Sequence, residues 1–132
     1  LCAAVADYRP SVMADKKIKR EKTGEMTLTL VPNPDIAAAL GKIKRENQVN
    51  VGFALETNDE ATNAKDKCAR KNFDFIVMNS LKDKGAGFQV DTNKITIFTA
   101  GGDVREFPLK TKKEVAADIV DAVVEIAKKK GL

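Results

Sequence analysis

The sequence predicts an α/β fold, three layers deep around a mostly parallel sheet, and three observations predict it. Segments with strand and helix periodicity alternate along the chain. The stretch from Phe73 to Met78 reads as one apolar strand, the pattern of a strand buried on both faces of a parallel sheet. Two helix starts carry a capping box, Thr followed three residues later by Glu, at Thr57–Glu60 and Thr111–Glu114.

The elements follow in order. Leu1 to Ala6 is an apolar run that opens at the first residue, which reads as the tail of a buried strand whose beginning lies upstream, so the chain is expected to be an N-terminally truncated part of a longer protein. Met26 to Val31 alternates with period two, as a strand does. Asn33 and Pro34 are a helix start, Asn as N-cap and Pro at the first helical position, with Ile36, Leu40 and Ile43 as the apolar stripe. Val49 to Leu55 is the next strand, and the helix opened by the Thr57 box places Ala61, Ala64 and Cys68 on one face. Lys94 to Phe98 and Val104 to Leu109 flank Ala100-Gly101-Gly102-Asp103, a hairpin signal. A C-terminal helix follows the Thr111 box, its stripe formed by Val115, Ile119, Val123 and Ile126 and its end marked by Gly131.

Composition narrows the function. Of 132 residues, 43% are hydrophobic and 32% charged, the balance of one soluble globular domain. No apolar run is long enough for a transmembrane helix. The chain has no histidine, which excludes a Ser-His-Asp triad, a Cys-His pair or a His-ligated metal within these residues. Cys2 and Cys68 are far apart and read as free thiols of a reducing cytoplasm. The net charge of +4 suits a nucleic acid or a small phosphorylated ligand equally.

In open α/β sheets, ligands bind beyond the carboxyl ends of the strands. That rule selects Asp7, Asn33 to Asp35, Glu56 with Thr57, and Asn79, each of which also reads as a cap or turn former on its own. Two lysine features favour an anionic ligand. Lys16, Lys17, Lys19, Arg20 and Lys22 form a basic run of weak periodicity, a flap over a ligand or a solvated charge run. Lys67 and Lys71 lie four apart on the second helix, about 40° apart around its axis. With no acidic residue four positions before either, they repel unless an anion joins them. Gly85-x-Gly87 follows no helix start and is a weak phosphate signal; there is no Walker loop.

Taken in order, Ala3-Ala4-Val5-Ala6-Asp7-Tyr8-Arg9-Pro10, Lys17-Ile18-Lys19-Arg20, Asn33-Pro34-Asp35-Ile36, Gly52-Phe53-Ala54-Leu55-Glu56-Thr57 and Asn79 resemble the bacterial phosphopantothenate–cysteine ligases (phosphopantothenoylcysteine synthetases) of coenzyme A biosynthesis. The resemblance continues through Gly87-Phe88 and Asp91-x-Asn93 to the final helix. It implies a Rossmann-like nucleotide-binding domain of which residues 1–132 are the C-terminal portion, often fused behind a flavoprotein decarboxylase. It also implies a cytoplasmic homodimer with CTP, magnesium, 4′-phosphopantothenate and L-cysteine as ligands. Carried over by position, Asp7 touches the nucleotide, and Lys17, the catalytic candidate, closes over the triphosphate. Asn33, Pro34, Asp35 and Ile36 line the base pocket, Phe53 packs on the nucleotide, and Lys67 and Lys71 bind the phosphate tail. No metal ligand is assigned.

Arg20 and Leu55 depart from the family's Lys and Ala, and its Gly/Ser-rich N-terminal segment, with an Asn and an Arg of the acyl-cytidylate steps, is not in the sequence. The fragment alone is therefore expected to be inactive. Two other readings stand beside this one. The first is a Rossmann-like domain for another nucleotide, as in an ATP-type ligase. The second is a basic nucleic-acid module, disfavoured because no aromatic residues alternate with the lysines.

Overall fold

The computed structural model describes residues 5–19, 24–56, 60–80 and 90–132. Leu1 to Ala4, Arg20 and Lys22 of the basic run, the Thr57 end of the first capping box and Gly85-x-Gly87 lie outside the described residues. The chain divides into two compact units, Ala3–Ile36 and, for the rest of the described chain, Ala37–Leu132.

In the smaller unit, β1 (Tyr8–Pro10) pairs antiparallel with β2 (Leu30–Pro32), Arg9 opposite Val31. The strand expected at Met26 to Val31 thus shrinks to its last two residues and gains Pro32. Alternation marks which residues could share a face, but a ladder extends only as far as its partner, and β1 has three residues. At the front of the chain, Val5 is 58% exposed and outside any strand, against the buried strand expected there.

The larger unit carries the sheet. α1 (Ile36–Lys42) leads through a loop to β3 (Val51–Glu56), α2 (Glu60–Arg70) crosses over, and β4 (Phe75–Ser80) pairs parallel with β3, Val51 opposite Phe75. β5 (Thr92–Asn93) and β6 (Ile95–Thr99) follow; β6 turns through the expected Gly101-Gly102 hairpin into β7 (Val104–Glu106). β8 (Lys110–Thr111) pairs with β5, and α3 (Lys112–Lys129) closes the chain. The four-stranded sheet runs β3-β4-β6-β7, parallel in its first pair and antiparallel where the hairpin extends it.

The three layers are plain in the packing. Alternate residues of β4 face opposite ways. Ile76 and Met78 join Ala54, Phe73, Phe98 and the Ala64 and Cys68 face of α2, while Phe75 and Val77 join Ile95, Ile97 and the Val115 and Ala122 face of α3. Phe75, Ile76 and Val77 are fully buried, each contributing roughly 1.5–3 kcal/mol of transfer free energy. Ala61, expected on the inner face of α2, is exposed.

Helix ends are set by local chemistry. Thr111 caps α3 reciprocally: its N–H donates to Glu114 Oε2 at 2.9 Å, and its Oγ1 accepts from the Glu114 N–H at 3.3 Å. The C-terminus of α3 is a Schellman turn, with Leu132 N–H on Ala127 O, Gly131 N–H on Lys128 O, and Gly131 at φ 74°. α2 ends the same way, Phe73 N–H reaching Cys68 O and Asn72 N–H reaching Ala69 O, with Asn72 in the left-handed position at φ 50°. Lys71 is therefore the residue that closes α2 rather than one inside it.

α1 departs most from expectation. It begins at Ile36, two residues after Pro34, and its stripe is outside: Ile36 is 54% and Ile43 72% exposed. The buried residue is Gly41. A Cβ there would overlap the Lys71 carbonyl oxygen, and the Asn72 side-chain amide donates to the Gly41 carbonyl at 2.9 Å, so bare backbone docks on backbone. Among the described residues no helix is long and apolar enough to cross a membrane.

Candidate functional site

Three groups of candidate side chains emerge. The first is a clasp in the smaller unit. The Arg9 guanidinium donates through Nη1 to the Pro32 carbonyl at 2.9 Å and to Asn33 Oδ1 at 3.1 Å. Asn33 Nδ2 donates to the Ala6 carbonyl at 2.7 Å, and the Asn33 N–H to the Asp7 carbonyl at 2.8 Å. Both ends of the Asn33 amide are engaged, so Asn33 is a clasp residue and not the N-cap expected of it. The clasp brings Asp7 and Asn33 together and presents Asp7, Pro34, Asp35 and Ile36 on the surface. Lys17 lies among the irregular, exposed residues 11–19 that follow β1.

The second group is at the carboxyl edge of the sheet. Phe53 and Leu55 share the α3 face of β3 and are 41% and 42% exposed; Asn79 lies on the same face of β4, directly across from Leu55. Glu56 ends β3 at this edge, and Thr57 lies outside the described residues.

The third group is at the amino edge. A helix that crosses between parallel strands runs back against them, so the last turn of α2 lies beside the start of β4. Lys67 and Lys71 are there, half-buried and one turn apart, with Lys71 N–H on Lys67 O at 3.1 Å. Lys67 lines a shallow depression with Asn63, Asp66 and Arg70. The structure does not bring this pair to the edge where Phe53 and Asn79 sit; α2 itself, roughly 16 Å long at 1.5 Å per residue, separates the two ends.

Sequence reasoning missed the strongest electrostatic feature, also at the amino edge. Asp74, 8% exposed, accepts from Lys130 Nζ at 2.6 Å, from the Asn50 N–H at 2.7 Å and from Lys44 Nζ at 3.3 Å. The two ammonium groups also donate to the Gln48 and Asn72 carbonyls. Burial raises the Asp74 pKa, but the hydrogen bonds from Lys130, Asn50 and Lys44, with the Lys44 charge, outweigh it and hold the carboxyl below its ordinary range. The signal was a lone acid inside the Phe73 to Met78 apolar run; its cations come from far along the chain. Lys44 and Lys130 also line an open cavity of about 480 Å³ with Arg45, Glu46 and Asn72.

Cys68 is buried, and its thiol pKa is pushed up by that burial and then by the Asp74 charge, the environment of an inert core cysteine. Among the described residues no three Cys, Asp or Glu side chains converge as a metal cage.

The model of the DNA/pantothenate metabolism flavoprotein C-terminal domain matches residues 1–127. A cysteine/cysteine sulfinic acid decarboxylase from an unknown prokaryotic organism is 57% identical over 126 residues, covering 96% of this chain and 35% of that protein. The coenzyme A biosynthesis bifunctional protein CoaBC of Bacillus subtilis (strain 168) is 44% identical over 129 residues, covering 98% of this chain and 31% of that protein. The crystal structure of the C-terminal domain of a CoaBC protein superposes with a TM-score of 0.72 at 32% identity, over 96% of this chain and 53% of that one. The chain thus spans about a third of the length of these curated relatives.

Proposed function

The chain belongs to the DNA/pantothenate metabolism flavoprotein C-terminal domain family, and from that premise we propose that it is the nucleotide-binding part of a phosphopantothenate–cysteine ligase of coenzyme A biosynthesis. The observation that carries the reading is similarity to CoaBC over 98% of the chain at 44% identity. In the proposed reaction a carboxylate oxygen of 4′-phosphopantothenate attacks the α-phosphorus of CTP and pyrophosphate leaves, forming an acyl-cytidylate. The amine of L-cysteine then attacks the acyl carbon, CMP leaves, and the amine sheds a proton.

The residues act by position and charge rather than by acid–base exchange. In the smaller unit, Asp7, beside the clasped Asn33, is the residue offered to the nucleotide and Asn33 to Ile36 are those offered to its base; in the larger unit, Phe53 is the residue offered to pack on a nucleotide. Lys17 neutralises charge building on the transferring phosphate. Lys67 and Lys71 take a terminal phosphate. Magnesium, if carried in on the nucleotide phosphates as is common, would offset their charge; Asp7 would face the ribose or the metal side of the nucleotide, and no metal ligand is assigned.

The test is turnover by the full-length protein with 4′-phosphopantothenate, cysteine and CTP, beside calorimetric titration with CTP, ATP and UTP. CTP-dependent amide formation and a preference for CTP are expected. Equal binding of all three nucleotides would remove the cytidylate step, and turnover with ATP alone would make this an ATP-type ligase. The Lys67→Ala/Lys71→Ala double variant is expected to weaken binding of CTP or of 4′-phosphopantothenate at least tenfold, charged hydrogen bonds contributing about 1.5–3 kcal/mol each, and the ligand affected identifies the phosphate.

A second reading comes from the 57% identical relative: the chain as the appended domain of a cysteine or cysteine sulfinate decarboxylase. Release of carbon dioxide from cysteine sulfinate by the full-length protein, without CTP-dependent ligation, would favour it.

A further inference from the structure

Among the described residues, the one buried side-chain polar atom without a hydrogen-bond partner is Asn79 Oδ1. Such an atom forfeits its water and gains nothing in return, so buried acceptors are nearly always paired in native proteins. Asn79 sits at the carboxyl end of β4, which is flanked on both sides, paired with Leu55 on β3 and Ile95 on β6. This is the edge where open α/β sheets receive ligands.

The described neighbours bear on what the acceptor awaits. Leu55 and Ile95 are apolar, and Phe53 stands diagonally across on the same face with its residue 41% exposed. Diagonal neighbours on one sheet face lie about 7–8 Å apart, within reach of an aromatic side chain. A carbonyl oxygen repels phosphate, and an apolar surround disfavours a free ammonium. A flat ring with an amino group on its edge meets both conditions, its face against Phe53 and Leu55 and its N–H directed at the orphan oxygen.

We propose that Asn79 is a base-recognition residue, its Oδ1 accepting a hydrogen bond from the exocyclic amine of a nucleotide base. This rests on the nucleotide-binding reading above and adds to it a residue that selects an amino-bearing base. Uracil offers a carbonyl at the equivalent position and would leave two acceptors facing each other.

The probe is CTP beside the triphosphate of the pyrimidin-2-one ribonucleoside, which is cytidine lacking its 4-amino group, titrated into the full-length protein. Wild type is expected to bind CTP about tenfold more tightly than the analogue, as one hydrogen bond to a buried acceptor allows. Asn79→Leu, close in size, is expected to bind the two equally and to melt no lower than wild type, since it removes an unpaired acceptor. Asn79→Ser serves as the second variant and is likewise expected to lose the discrimination. The proposal falls if wild type binds both ligands equally, if either variant keeps the tenfold preference, or if Asn79→Leu melts lower while still preferring CTP. Wild type that binds neither ligand would sink the nucleotide-binding reading itself, a distinct result from binding without discrimination.

Discussion

Asp74→Asn removes one negative charge from beneath two ammonium groups while keeping the shape of the side chain. In the wild type the carboxylate takes three donors, Lys130 Nζ at 2.6 Å, the Asn50 N–H at 2.7 Å and Lys44 Nζ at 3.3 Å. Three charge-assisted hydrogen bonds at about 1.5–3 kcal/mol each set an upper bound near 5–9 kcal/mol. Two features reduce it. The Lys130 side chain is 24% exposed and can turn to water, and the new amide keeps one oxygen for the Asn50 N–H. The Lys44 side chain, 10% exposed, has no such escape. A loss of about 3 kcal/mol results, at the low end of what breaking a buried pair costs. With an unfolding entropy of roughly 2.1 cal/mol/K per residue over the whole chain, that lowers Tm by about 10 °C. The assay is urea unfolding at pH 7 followed by circular dichroism, with thermal melts beside it. The acid limb supplies a second readout. Because the folded-state pKa is depressed, the stabilisation is complete above the unfolded carboxylate value of about 3.9 and is lost as pH falls through the lower folded value. Wild type should therefore lose stability on acidification there, and Asp74→Asn should lose less. A urea midpoint matching wild type at pH 7, or a wild type that gains stability on acidification, would refute the reasoning.

Two further outcomes test the local geometry. Gly41→Ala sets a methyl group against the Lys71 carbonyl, backbone that cannot swing aside, so α1 must lift from the turn after α2; a loss of about 1–3 kcal/mol is expected in denaturant unfolding. Thr111→Ala deletes the oxygen that caps α3 and should cost about 1 kcal/mol, while Thr111→Ser should recover most of it.

What the sequence made legible is what is encoded locally. The capping box of α3 and the Gly101-Gly102 hairpin are each written within a few residues and stand where expected, and the apolar run gives β4, which begins two residues later, at Phe75, and runs on to Ser80. What it hid depends on partners. The stripe of Ile36, Leu40 and Ile43 announces an amphipathic helix but not the surface that meets it, while Gly41, with no side chain to register in any hydropathy pattern, makes the close contact. Asp74 passed unmarked within the apolar run because its partners Lys44 and Lys130 are 30 and 56 residues away. Of the candidate ligand residues, Asp7 and Asn33 do meet, but through an antiparallel ladder that Asp7 precedes and Asn33 follows, not at the carboxyl ends of parallel strands as the sequence suggested. Lys67 and Lys71 were legible as a pair, but which edge they serve depends on the direction of α2, fixed by the parallel pairing of β3 with β4.

The β1–β2 ladder also sets the reach of Lys17. Ser11 N–H is bonded to the Thr29 carbonyl at 2.9 Å, which ties the chain down at the foot of the ladder. Lys17 is six residues from that knot. A fully extended chain spans at most about 3.6 Å per residue, which confines the Lys17 Cα to roughly 22 Å from Ser11 however the loop is drawn. Within such a radius a tethered cation acts at an effective concentration in the millimolar range, with no affinity of its own required. Lengthening the loop between Ser11 and Lys17 would dilute that cation without altering a single contact in the clasp.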